Sequence, residues 1–291
     1  MTINSVDSFL SSRFWGVHYS LYNTSSSAYA MSSTLGDSRP ALAGSSMASW
    51  GFFGFTGSIP TGGFNISGCS SGTYAVPNAA ANKNNYFLGA SAYVRNNYCR
   101  TSVADLLWFC TGARNNTGTI GIYSTRFPAR DASGTDNGYG VQLAAGYWNP
   151  AGPSTLAMSS FSGMSVEYTN SDGVSNRTGY TLRQVNTAGS IGQSTFLQIH
   201  LQDNDVGVQS VQQWFYKPNA GGATDVNFRL VAYRPIAELF SYNSDSATAA
   251  YCGITDNGMP ILYSGTSLFF ILNNINNSTN TRDIYLRFAE G

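Results

Sequence analysis

Charge is what this chain has least of. Only 10% of its 291 residues are charged, against about 25% in an average soluble domain. Lys83 and Lys217 are its only lysines, and 15 basic residues balance 15 acidic ones to a formal net charge of +0. That balance leaves no expectation of nucleic acid or an anionic membrane as partner, because both recruit through basic surface. Histidine is almost as scarce, with His18 and His200 alone. The four cysteines, Cys69, Cys99, Cys110 and Cys252, form no CxxC pair, so a structural zinc site has no support from spacing. Cys110, in an apolar context, reads as a buried thiol. The opening MTINSVDSFLSSRFWG has no basic region followed by an apolar core, and a product made and kept in a cytoplasm is expected. No run of about 18 apolar residues occurs, and Leu268 to Leu272 is only strand length. Walker and dinucleotide fingerprints are missing too, with Gly118-Thr119-Ile120-Gly121 reading as a flexible crossing. No cofactor is expected.

What the chain has instead is 14% aromatic residues and 31 glycines, with its polarity drawn from Ser, Thr, Asn and Gln. A surface of that kind is poorly soluble alone and favours burial in an assembly. Val6, Phe9, Leu10 and Phe14 fall at helical spacing, which predicts a short amphipathic helix on a partner or on the chain's own core. From Asn23 to Asn97 the composition shifts to Ser, Gly, Ala and Asn with isolated aromatics. Within it, Trp50-Gly51-Phe52-Phe53-Gly54-Phe55 alternates rings with glycines that permit close backbone approach. That stretch reads either as a bent strand in the core or as an adhesive surface for another subunit. Phe9, Phe14, Trp15, Trp50, Phe52, Phe53 and Phe55 are the interface candidates.

The stretch from Ser102 to Trp148 organises the rest. Ser102 and Asp105 have capping-box spacing, Leu106 to Phe109 form an apolar turn, and Gly112 can close a helix. A short helix over 102–111 is therefore predicted. Beyond it the pattern is β. Val141 to Ala145 alternates; Ser165 to Thr169 and the residues after Asn170-Ser171-Asp172-Gly173 form a hairpin. Leu197, Ile199 and Leu201 share one face of a strand. Val206, Val208 and Trp214 share another, with Val211 on the opposite parity. A strand from Asp225 ends at Pro235, and a last one buries Ile284, Leu286 and Phe288. Short strands punctuated by Gly, Asn and Pro predict an all-β fold, a β-sandwich or jelly-roll-like domain. The expected division is a loop-rich region over 1–100, making inter-subunit contacts, and a β-sandwich domain over 101–291.

Motifs with chemical meaning weigh little here. Gly68-Cys69-Ser70-Ser71-Gly72 fits G-x-S-x-G, but it lies in a Ser/Gly-rich loop without the strand–helix context or a nearby histidine. His200 falls on the polar side of its strand. Asp131 to Gly138 and Asp203-Asn204-Asp205 cluster oxygens as calcium sites do, yet Asp and Asn also cap their own turns, which is the expectation. No catalytic residue is assigned, and the chain is not expected to be an enzyme.

Several segments together resemble a family of tailed-bacteriophage structural proteins. They are Asp105 to Trp108 with Thr111-Gly112, then Phe127-Pro128-Ala129-Arg130-Asp131, then Gly134 with Asn137-Gly138-Tyr139-Gly140-Val141. Val166 to Gly173, Arg177-Thr178-Gly179 and Leu201 to Val211 continue the series. Arg234-Pro235-Ile236-Ala237 and Gly258 to Gly265 complete it, and the opening Ile3 to Asp7 is similar as well. The chain departs from the family at Asn204-Asp205-Val206-Gly207-Val208, where Gly-Asp-Thr-Gly-Val is usual. The resemblance implies a virion component made in the host cytoplasm. The expected role is a capsid decoration or cement protein whose partners are the major capsid protein and itself, as a homotrimer. A neck, tail-tube or tail-fibre component, or a carbohydrate-binding virion module, is the alternative.

Overall fold

Alternation with a period of two dominates the chain, and it yields strands. The computed structural model describes residues 3, 5–22, 46–48, 63–66, 74–94, 99–112, 118–148, 156–181, 189–191, 195–220, 227–241, 248–274 and 281–291. In chain order the first elements are α1 Val6–Leu10, β1 Arg13–Tyr22, β2 Ser46–Ala48, β3 Phe64–Asn65, β4 Tyr74–Ala75, β5 Asn85–Val94 and β6 Cys99–Gly112. Next come β7 Gly118–Gly121, β8 Gln142–Trp148, β9 Leu156–Asn170, β10 Arg177–Thr181, β11 Gly189–Ile191 and β12 Thr195–His200. The last are β13 Val208–Ala220, β14 Asn227–Ser241, β15 Thr248–Cys252, α2 Ile254–Asn257, β16 Ile261–Leu262, β17 Ser267–Asn274 and β18 Thr281–Glu290.

Among the described residues the strands form two antiparallel sheets. A five-stranded sheet runs β1-β18-β5-β15, with β16 added on β5. A 13-stranded sheet runs β2-β17-β6-β14-β8-β12-β10-β9-β13-β7, with β3, β4 and β11 on its flanks. Strand β2 pairs with both β17 and β12, so the path β2-β17-β6-β14-β8-β12 closes on itself. The five-stranded sheet packs Phe87, Ala90, Leu286 and Phe288 against Val103, Leu239, Leu268 and Phe270 of the larger one. That is face-to-face sheet packing, as the all-β sandwich expectation requires. The larger sheet also folds over itself, bringing Trp108, Leu143 and Leu230 onto Val166 and Trp214. The small sheet takes strands from both sides of residue 100.

The predicted helix over 102–111 is instead the centre of β6. Every residue from Thr101 to Cys110 is buried, and a continuous apolar run reads alike as a buried strand or a buried helix. What decides is that β6 has strands on both sides, β14 and β17, and core on both faces. Leu106 and Phe109 face one apolar cluster while Leu107, Trp108 and Cys110 face another. A bulge makes that possible: Ala232 pairs with Trp108 and Tyr233 with Leu106, leaving Leu107 as the extra residue.

Bulges correct two further expectations. Strand β14 does not end at Pro235 but runs to Ser241. Pro235 pairs with Ala104 and Ala237 with Val103, so Ile236 is the extra residue beside a proline that has no N–H to donate. In β13, register shifts between Val208 and Ser210 and between Val211 and Gln213 turn Val211 to the same core as Val208 and Trp214. Val206 lies before the strand and is exposed. The N-terminal helix stops at Leu10, so Phe14 belongs to β1. The hairpin of β9 and β10 forms as expected, with Arg177 opposite Tyr168.

Candidate functional site

A low-charge chain that buries a carboxylate must answer it with donors. Asp105, fully buried at 0% exposure, points from β6 into such a site. Arg130, on the loop between β7 and β8, donates to it through Nε at 3.1 Å and Nη2 at 3.3 Å. Ser267 N–H donates at 2.8 Å and the Thr266 hydroxyl at 3.4 Å. The remaining Arg130 donors go to the carbonyls of Ile66 at 2.7 Å and Leu106 at 2.9 Å. Burial pushes the Asp105 carboxyl above its ordinary range, while the charges of Arg130 and Arg234 pull it down. Arg234 donates to the carbonyls of Asp131 at 3.3 Å and Ile261 at 3.1 Å. Its guanidinium lies 5.2 Å from the centroid of Tyr263.

The next residue, Asp131, closes its own turn. Its carboxylate accepts from the N–H groups of Ser133 and Thr135 at 2.8 Å, from the Thr135 hydroxyl at 2.8 Å and from Tyr139 N–H at 3.0 Å. Burial alone would raise this carboxyl, but those bonds hold it below the usual carboxylate range. Asp205 is treated similarly on the neighbouring turn. It accepts from the Tyr168 hydroxyl at 2.6 Å, Asn170 Nδ2 at 2.8 Å and Arg177 Nε at 2.9 Å. Burial would raise it too, and the bonds from Arg177, Tyr168 and Asn170 bring it down. Arg177 Nη2 reaches Asp203 at 2.8 Å. The Tyr168 oxygen also accepts from Gln202 N–H at 2.7 Å, so β9, β10 and the chain entering β13 are tied at one point.

The two turns are stitched together. Tyr139 bridges to Gly207, Gly140 N–H donates to the Val206 carbonyl at 3.0 Å and Ser171 N–H to the Gly207 carbonyl at 3.0 Å. The Asp131 carboxylate caps its own turn, as expected, whereas Asp205 accepts from side chains of β9 and β10 and not from its own turn, and Asp203 accepts from Arg177 of β10. Among the described residues no group of three or more His, Cys, Asp and Glu side chains could hold a metal ion. Cys110 and Cys252 are buried thiols, and burial pushes the Cys110 thiol up to about 12. No helix of the described residues is long and apolar enough to cross a membrane.

The interface candidates separate. Phe9 packs on the small cluster of Ile3, Tyr86 and Ala289 and meets Phe14 edge-on at 5.1 Å. Phe14 is itself half exposed. Trp15 points the other way, partly buried against the core, and stacks on Phe288 at 5.2 Å. Trp50, Phe52, Phe53 and Phe55 lie outside the described residues, as does Gly68 to Gly72. His200 is exposed, in keeping with its place on the polar face.

What the sequence reading missed is the outer face of the five-stranded sheet. His18, Ser91, Tyr93, Asp283 and Tyr285 line an open recess of about 370 Å³ there, with Ala92 at its base. The signal was present: burying Ile284, Leu286 and Phe288 leaves Asp283, Tyr285 and Arg287 on the opposite side of β18.

No protein-family model matches the chain, and no curated protein matches it. Among solved structures, the VP2 subviral particle of infectious bursal disease virus aligns over 96% of this chain and 81% of that chain, at 10% identity and a TM-score of 0.21. The T=1 particles derived from the same virus align over 96% and 78%, at 12% identity and a TM-score of 0.21. At that TM-score the chains share no overall superposition, and nothing about the role of this one follows from the likeness.

Proposed function

We propose that the chain is a non-enzymatic structural subunit of a tailed-phage particle, a decoration or cement protein that bridges major capsid subunits as a homotrimer. One observation supports this reading. The segments that resemble phage structural proteins, scattered from Asp105 to Gly265, converge in space on the Asp105–Arg130 pair and the Asp131 and Asp205 turns. Their arginines donate to carboxylates and carbonyls of other segments and so hold loops to strands. A mechanical subunit requires that use of its few charges, because it makes the junctions between loops and strands rigid.

Quantitative mass spectrometry of purified particles tests the proposal. A copy number close to that of the capsid protein is expected. Copies numbering in the tens or fewer would move the chain to a neck, tail or fibre position, and its absence from particles would end the virion reading.

A further inference from the structure

We infer that the outer face of the five-stranded sheet is a binding site for a neutral sugar ring of a glycan. The register sets it up. His18 of β1 stands opposite Tyr285 of β18, Tyr285 opposite Ser91 of β5, and Ser91 opposite Tyr251 of β15. These four make one row across four strands, and Asp283 opposite Tyr93 belongs to the next. Tyr285 and Tyr93 are 48% and 49% exposed, so each offers ring surface to solvent from a rigid strand.

Two glycines shape the platform. A methyl group on Gly16 would lie 3.2 Å from the Tyr285 ring, and one on Gly253 would lie 2.6 Å from the Tyr251 hydroxyl. Both rings therefore rest against bare backbone instead of standing away from the sheet. Arg287 braces Tyr251 from 5.5 Å, and His18 lies 5.5 Å from Tyr285 in a tilted arrangement.

The chemistry selects the ligand. The recess of about 370 Å³ falls within the range of about 300–1,000 Å³ usual for ligand pockets. Its walls are two tyrosine rings, which suit the C–H face of a pyranose. Its polar groups are the His18–Asp283 pair, 3.4 Å apart, and Ser91, which exchange hydrogen bonds with hydroxyls. Among the described residues no lysine or arginine lines the recess to hold a phosphate, and one carboxylate is too few for a metal. A neutral, hydroxyl-rich, flat-faced ring meets all of these conditions. The site does not depend on the virion proposal, because it is read on the isolated chain.

Calorimetric titration of the full chain with cellohexaose, maltohexaose and chitohexaose tests it. At least one probe is expected to bind, and Tyr285→Ala and Tyr93→Ala each to weaken it roughly tenfold. Gly16→Ala weakens it as well, by displacing Tyr285. Tyr180→Ala, at an exposed tyrosine on the other sheet, leaves binding unchanged. Circular dichroism and thermal midpoints show that the variants are folded. Failure of all three probes to bind at about 10 mM, roughly tenfold above a weak dissociation constant of about 1 mM, overturns the inference. So does equal binding by folded Tyr285→Ala and Tyr93→Ala proteins. A fall in oligomer mass on Tyr285→Ala also overturns it, because the face would then seat another copy of this chain.

Discussion

In the sequence Asp105 stood out only as a partner for Ser102. Its spacing from Ser102 suggested a helix cap, and only the fold could supply Arg130 from 25 residues away. A buried pair is sensitive to losing one member, since the survivor keeps its desolvation cost. Asp105→Ala is expected to lose about 3–5 kcal/mol, read by urea unfolding; a loss below about 1 kcal/mol would show that the pair is not what fixes the loop. Asp205 gives a pH test. Its folded carboxyl sits below the ordinary value, so its contribution is complete above the unfolded pKa near about 3.9 and is lost as pH falls through the folded value. Asp105, which burial pushes upward, acts with the opposite sign, so the comparison must isolate Asp205. The stability gap between wild type and Asp205→Asn, open at pH 7, should close as pH drops below about 4. A gap as wide at pH 2 as at pH 7 contradicts the assignment.

At the scale of elements, the sequence revealed strands that alternate and concealed those that do not. Strand β18 reads correctly because one face is core and the other is not. Strand β6 misreads because both faces are core, and its period vanishes. Bulges hide in the same way: nothing in Val208 to Trp214 announces the two shifts that carry Val211 to the inner side. The turns were legible as turns, but their mutual contact was not. A methyl group on Gly138 would lie 1.9 Å from the Val208 carbonyl oxygen, and one on Gly207 2.0 Å from the Gly138 carbonyl oxygen. Gly138 also has φ near +81°. Gly173 has φ near +80° too, with nothing within 4 Å of the added carbon. Gly173→Ala should therefore cost only the conformational penalty, about 1 kcal/mol. Gly138→Ala should cost at least about 3 kcal/mol or prevent folding, because backbone must move. Equal denaturation midpoints for the two variants would mean that the turns are not locked together.

For the whole molecule, the composition pointed to assembly, and α1 gives that expectation a place to be tested. The helix docks through Phe9 and leaves Val6 and Leu10 at 73% and 70% exposure, one turn apart on its outer side. Half-exposed Phe14 meets Phe9 edge-on. Removing residues through Trp15 would not isolate this surface, since Trp15 stacks on Phe288 and β1 pairs with β18 along its length. Val6→Asp with Leu10→Asp changes the surface and leaves the core. On the homotrimer proposal, that double variant should elute as a folded monomer, while wild type keeps one mass in light scattering. The wild-type mass should also hold between low salt and about 1 M salt, where screening shortens electrostatic reach to about 3 Å. Apolar contact is indifferent to that change, and a chain with 15 acidic and 15 basic residues has already spent several of its charges internally. Dissociation of the wild type by salt alone would show that ion pairs hold the assembly. An unchanged mass for the double variant would place the interface elsewhere than α1.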